Sequence, residues 1–240
     1  MSKLYLDIGN SFMKLAQKAE VGWNIFHHFR NESVEKLGEI IMQMDGFELL
    51  VVSSVRKDIL YRLEDIIPAE KLRIFKSTDI PFYHVDYESQ KTLGIDRFLV
   101  CLGASVSTPK NVVVIDAGSA CTIDLMTSDK IYRGGIIMPG IQQFHRSMQI
   151  SLPELPEVGK QIPSKWPGKS TDTSIQWGIN GAFIMAIKGF VEKFKEDVDQ
   201  AEVFITGGDA IFIVENLGYE LSLKHRPNLL FDGMVNFEQL

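Results

Sequence analysis

The chain has 240 residues, a formal net charge of −6 and 45 % apolar residues. That length allows one large domain or two small ones. The acidic balance carries no footprint of a nucleic-acid binder, and no apolar run reaches the roughly 18–20 residues of a membrane span. The two cysteines, Cys101 and Cys121, sit in apolar surroundings and are too few for a disulfide framework; they read as buried free thiols of a reducing compartment. The chain enters a strand at once, with no apolar leader, so the expectation is a cytoplasmic protein.

In chain order, apolar runs and turn signals predict strands over residues 4–8, 12–17 and 23–29. A helix over 34–44, a buried strand over 49–53, a helix over about 59–66 and a strand over 72–75 complete the first half. A helix over 97–105 follows Gly94, Ile95, Asp96 and Arg97. The order β-β-β-α-β-α-β then starts again. Strands over 111–116, 121–126 and 131–137 lead to a helix after Gly140, a Pro-rich loop over 152–167 and a long amphipathic helix over 173–195. The apolar stripe of that helix suits either a core or an interface. A buried strand over 203–206, a helix over 210–217 and a last short strand over 229–231 before a terminal helix end the pattern. Helices between short apolar strands imply parallel pairing, and the leading hairpins antiparallel pairing, so each half is a mixed α/β sheet. No Gly/Ser linker intervenes. The expected division is 1–110 and 111–240, closely packed.

The halves also echo each other in sequence. LYLDIGNSFMKL over 4–15 and VVIDAGSACTIDL over 113–125 each run from apolar residues through Asp-x-Gly and a small polar residue into apolar residues again. Either turn alone reads equally as a plain hairpin, for which Gly9-Asn10 is suited. Repeated, the two turns offer backbone N–H groups of the kind that bind phosphate. Asp7 and Asp116 would then hold a cation rather than the anion itself. The turn Thr206-Gly207-Gly208-Asp209 reads as a simple β–α turn or as a surface for a flat ligand.

Asp96 reads either as the cap of the helix that follows or as a general base for a substrate hydroxyl. Arg97 beside it has the fork that binds a carboxylate. Gly168-Lys169-Ser170 resembles the end of a P-loop, but Pro163 stands where that motif needs Gly and no strand precedes it. Ser170, Thr171, Asp172 and Thr173 are good N-cap residues, and Thr171 alternatively meets a ligand. No His-x-x-x-His, Cys-x-x-Cys or nucleophile-elbow pattern supports zinc or serine-hydrolase chemistry.

Taken in order, Asp7-Ile8-Gly9-Asn10-Ser11, Val52-Ser53-Ser54-Val55, Gly94-Ile95-Asp96-Arg97, Asp116-Ala117-Gly118-Ser119-Ala120, Gly134-Gly135, Pro139-Gly140, Ser170-Thr171 and Gly207-Gly208-Asp209 resemble the type III pantothenate kinase family over nearly the whole chain. The resemblance implies an α/β fold of two RNase H-like (actin-like ATPase) domains with a nucleotide cleft between them. It implies transfer of the ATP γ-phosphate to the primary hydroxyl of pantothenate, the first step towards coenzyme A. By the same resemblance, Asp7, Ile8, Gly9, Asn10, Ser11, Phe12, Met13 and Lys14 would form the first phosphate loop, with Asp7 on Mg²⁺. Ser119 would be the second ATP contact, and Asp116 would bind an activating K⁺ or NH₄⁺. Asp96 would be the catalytic base, and Tyr87, Gly94, Ile95, Asp96, Arg97 and Thr171 would contact pantothenate. Thr171 would be given across the interface of a homodimer.

The chain departs from the family pattern in three places. Ser11 and Ser119 stand where Thr is usual, each keeping a hydroxyl, and the segment 88–93 lacks the Pro and acidic residue usual just before the tetrad Gly94–Arg97. Because fold does not fix activity, the alternatives are a nucleotide-binding regulatory protein, or a kinase or phosphatase of another small hydroxy compound.

Overall fold

The structure is a computed structural model that describes residues 2–44 and 46–240. Its first sheet is built from β1 (Ser2–Ile8), β2 (Phe12–Lys18), β3 (Trp23–Arg30), β4 (Phe47–Ser54) and β5 (Leu72–Ile74), in the order β3-β2-β1-β4-β5. The hairpin strands pair antiparallel, while β4 runs parallel to β1 and β5 parallel to β4. Helices α1 (Val34–Gln43) and α2 (Lys57–Glu64) supply the crossovers, and α3 (Ile95–Ser105) follows a run of short turns.

The pattern then repeats as β6 (Val112–Ala117), β7 (Ala120–Met126), β8 (Tyr132–Pro139), α4 (Ile141–Ser151), α5 (Thr171–Gln176), a π turn over Trp177–Gly181, α6 (Ala182–Asp197), β9 (Glu202–Thr206), α7 (Ala210–Leu221), β10 (Lys224–His225) and α8 (Leu229–Phe237). The second sheet has the order β10-β9-β6-β7-β8, the first sheet's order with β6 in the place of β1.

Two readings of the sequence are corrected. Residues 229–231 are helical, and the last strand is the short, exposed pair Lys224–His225. The long helix begins at Thr171 and is interrupted by the π turn. Its stripe belongs to the core: Ile175, Ile179, Phe183 and Ile187 are buried with β6, β7 and β9, whereas Ala182 on the same helix is exposed.

Two compact units result. One comprises the chain up to Ser107 with Lys130–Tyr132 and Asn228–Leu240; the other comprises Thr108–Asp129 and Arg133–Pro227. The expected division after residue 110 differs from these units in that the start of β8 and the terminal helix join the first. In that unit α3 and α8 cross at glycine. A Cβ on Gly103 would lie 2.0 Å from the Leu229 carbonyl oxygen, and one on Gly233 would lie 1.9 Å from that of Leu99. Only hydrogen fits at either place. Cys101 and Cys121 are buried free thiols, and burial pushes Cys121 up to about 12. Among the described residues no helix is long and apolar enough to cross a membrane.

Candidate active site

Strand alternation decides where Asp7 points. Leu4, Leu6 and Ile8 are buried in one cluster with Val34, Leu37 and Ile41 of α1 and Ile59 and Leu63 of α2. Asp7 therefore shares the opposite face with Tyr5. There Tyr5 Oη donates to Glu238, which follows α8, at 2.9 Å, and the Tyr5 ring meets Trp23, which packs on Phe231 of α8.

In register, Asp7 stands between Lys14 of β2 and Ser53 of β4. Paired residues share a face, so Lys14, Asp7 and Ser53 form a row across the sheet. The Ser53 hydroxyl is fully buried and has no hydrogen-bond partner. The second unit repeats the arrangement. Asp116 stands between Thr122 of β7 and Thr206 of β9, and Thr122 Oγ1 is buried without a partner. Each row thus sets one carboxylate beside an orphaned hydroxyl oxygen; the second row is oxygen throughout, a donor set suited to a hard cation, whereas the first also carries the Lys14 ammonium. Among the described residues no three acidic, His or Cys side chains cluster as a metal cage.

The turn between β1 and β2 is closed by the Gly9 N–H donating to the Phe12 carbonyl at 2.9 Å. Within the expected phosphate loop, the side chains of Ile8 and Met13 lie in the core, so only their backbone is left for a ligand. Asn10, Ser11 and Phe12 are exposed, and the Arg30 guanidinium lies 5.5 Å from the Phe12 ring centroid. Asn31 and Arg56, which sequence reading passed over, both hydrogen-bond to this turn.

At the start of α3 the N-cap is Gly94, with no side-chain cap bond, and Asp96 sits one position inside the first turn. The reading of Asp96 as the cap is thereby set aside. Asp96 is half-buried, and its carboxylate lies at the positive end of the helix dipole. Arg97 is 6 % exposed, with its guanidinium 5.8 Å from the ring centroid of Tyr132. Tyr87 meets the same ring at 6.0 Å and 64°. Tyr132 is held in the first unit by a parallel bridge to Val85 and by the Asp86 N–H on its carbonyl at 2.9 Å. The structure therefore joins two expected site residues, Tyr87 and Arg97, through a third that sequence reading took for an ordinary strand residue.

In the second unit the helix start is capped by Ser170, whose hydroxyl accepts from the Thr173 N–H, while Thr173 Oγ1 accepts from the Ser170 N–H. Capping accounts for those two residues and leaves Thr171 exposed at the first helical position. Gly207 has φ +95°, and a Cβ there would strike Ala117 backbone atoms at 2.4 Å and beyond. The Asp209 N–H donates to the Ala117 carbonyl at 2.9 Å. The turn 206–209 thus stacks on the turn that carries Asp116, Gly118 and the exposed Ser119.

Asp209 makes no cap bond to α7; its carboxylate accepts from Lys160 Nζ at 2.5 Å. Lys160 belongs to the Pro-rich loop, which Asn180 of the π turn fastens down. The buried Asn180 amide donates to the carbonyls of Gly159 and Gln161, each at 2.9 Å, and its Oδ1 accepts from His145 Nε2 at 2.8 Å. A buried amide with every bond made was invisible to motif reading.

Two α/β units with matching sheets, each with Asp as the last residue but one of its central strand, define the actin-like ATPase fold. A protein described as a Baf family transcriptional activator from Campylobacter jejuni superposes with a TM-score of 0.68 at 22 % identity, over 98 % of this chain and 97 % of that one. The (R)-2-hydroxyglutaryl-CoA dehydratase component A of Acidaminococcus fermentans does so at 0.57 and 14 %, over 100 % and 98 %. At such identities the likeness is one of fold.

Sequence comparison is more specific. The family model of type III pantothenate kinase matches residues 3–193. The type III pantothenate kinase of Flavobacterium johnsoniae is 31 % identical over 221 residues, 89 % of this chain and 88 % of that one. That of Christiangramia forsetii is 30 % identical over 246 residues, 96 % and 95 %. The chain belongs to the type III pantothenate kinase family. It is an ATP-dependent kinase of coenzyme A biosynthesis whose substrates are pantothenate and ATP.

Proposed function

We propose that the residues named above divide the work of this reaction as follows. Asp96 accepts the proton of the pantothenate primary hydroxyl as its oxygen bonds to the γ-phosphorus and the bond to the ADP oxygen breaks. Arg97 pairs with the pantothenate carboxylate. Tyr87, Gly94, Ile95 and Thr171 line the substrate. The turn 7–14 and Ser119 take the ATP phosphates.

Asp7 is the carboxylate for Mg²⁺, and Asp116, with the Thr122 hydroxyl in register beside it, is the ligand for K⁺ or NH₄⁺. When bound, these cations supply positive charge against the triphosphate. The observation that carries the assignment is the start of α3, where a half-buried carboxylate precedes a buried guanidinium that shares the Tyr132 ring with Tyr87.

We further propose that the active form is a homodimer. Thr171 begins a helix beside an apolar groove of about 430 Å³ lined by Trp166, Trp177, Gly178 and Met185. Trp166 and Met185 are 70 % and 55 % exposed. A second copy covering this face would remove large apolar side chains from water. Buried free Cys101 and Cys121 suit a reducing compartment, and we place the enzyme in the cytoplasm.

A coupled assay with purified protein, ATP and Mg²⁺, with and without pantothenate and in K⁺ and in Na⁺, tests the reading. ADP release that requires pantothenate and is faster in K⁺ is expected. Equal rates in the two salts would remove the cation role of Asp116, and pantothenate-independent release would point to a hydrolase. Light scattering checks the dimer.

A further inference from the structure

The turn between β1 and β2 is gripped from one side. Asn31, directly after β3 and 3 % exposed, donates from Nδ2 to the carbonyl oxygens of Gly9 at 2.9 Å and Asn10 at 3.0 Å. Its backbone N–H donates to the Ser11 carbonyl at 3.3 Å. Arg56, at the N-cap of α2, adds Nη1 to the Asn10 carbonyl at 3.0 Å. The Arg56 fork is itself aimed by Asp58, whose two oxygens accept from Nε at 2.9 Å and Nη2 at 2.6 Å.

Three successive carbonyls are therefore captured. A planar trans peptide carries its C=O and N–H in opposite directions. Capture of the carbonyls of Gly9, Asn10 and Ser11 turns the N–H groups of Asn10, Ser11 and Phe12 away from Asn31. Backbone N–H groups turned to one side are donors of the kind that bind phosphate. The amide of Asn31 cannot be flipped without setting its oxygen against two carbonyl oxygens. In the observed orientation Oδ1 is buried with no partner. The side chain serves as a donor pair alone, at the expense of its acceptor.

We infer that Asn31, seconded by Arg56, is a positioning residue for the ATP phosphates, fixing the peptide planes of the turn so that its N–H edge meets them. This rests on the reading that the turn contacts ATP.

The test uses the full chain with Asn31→Ala, Arg56→Met, Arg56→Lys and Asp7→Asn, measuring MgATP affinity by calorimetry, KM for each substrate, and melting temperature. Asn31→Ala is expected to weaken ATP roughly tenfold to a hundredfold, the scale of a misplaced contact, with KM for pantothenate unchanged. Arg56→Met is expected to weaken ATP a few-fold, and Arg56→Lys, which restores one donor, to recover it. A lowered melting temperature with unchanged ATP affinity in Asn31→Ala overturns the proposal, as does an equal rise in both KM values. If Asn31→Ala fails to fold, Arg56→Met and Arg56→Lys decide. Weakening by Asp7→Asn alone overturns this role and leaves the ATP reading of the turn in place; no effect from any variant removes both.

Discussion

The guanidinium of Arg97 lies 5.8 Å from the ring centroid of Tyr132. Residues far apart in sequence thus meet at one ring, with Tyr87 against it as well. A desolvated cation–π contact is worth up to about 2 kcal/mol. Tyr132→Leu is therefore expected to raise KM for pantothenate roughly tenfold while KM for ATP holds, and Tyr132→Phe, which keeps the ring, to stay near wild type. Steady-state kinetics with the second substrate saturating checks both. A Tyr132→Leu enzyme that shifts only KM for ATP would contradict this arrangement.

Asp96→Asn keeps the shape of the side chain and removes its basicity. Loss of a general base slows turnover by about 10²–10⁴. The variant is expected to show that loss in kcat with melting temperature and ATP affinity unchanged. Turnover close to wild type would show that the proton goes elsewhere.

Gly233→Ala forces a methyl carbon to within 1.9 Å of the Leu99 carbonyl oxygen unless the helices part. Overpacking typically costs about 1–3 kcal/mol, and here the neighbour is backbone. The expected result is a loss of about 3 kcal/mol or more in denaturant unfolding, with reduced kcat in the folded fraction, because α3 carries Asp96 and Arg97. Unchanged stability would mean that α8 can shift without disturbing α3.

Glu202 links β9 to β10 through Lys224 Nζ at 2.6 Å, with Lys110 at 3.7 Å. The hydrogen bond from Lys224 foremost holds the Glu202 carboxyl below its ordinary value. A lowered folded-state pKa stabilises above the unfolded value, and the gain is lost as pH falls through the folded one. Glu202→Gln is expected to cost no more than about 1 kcal/mol at pH 7, with the gap closing as pH drops below the ordinary glutamate value of 4.5. Urea titrations of both proteins across that range measure it. A gap that widens in acid would reverse the sign.

Strand β1, its partner β2 and their echo in β6 and β7 were legible because buried strands bounded by Gly and Asp announce themselves locally. The short run Leu229-Leu230-Phe231 was not, since a few apolar residues fit strand and helix alike until Gly233 and Met234 are seen buried on the same helix. Lys224 and His225 form an edge strand with no apolar signal at all. In the site, Asp7, Asp96 and Asp116 stood out through the motifs around them. Tyr132, Asn31 and Asn180 did not, because their roles depend on carbonyls and rings that approach only on folding. Thr171 was ambiguous until Ser170 and Thr173 took up the cap.

The crossing of Gly103 with Gly233 also sets an order of events. The first unit is interrupted by nearly all of the second and is completed by Asn228–Leu240. On the ribosome, where domains generally fold as they emerge, α3 leaves the exit tunnel long before the helix whose backbone fills its groove. A nascent chain halted before residue 228 lacks the surface against which α3 is seated. The helix bearing Asp96 is therefore made early and meets its glycine partner only once α8 has followed it.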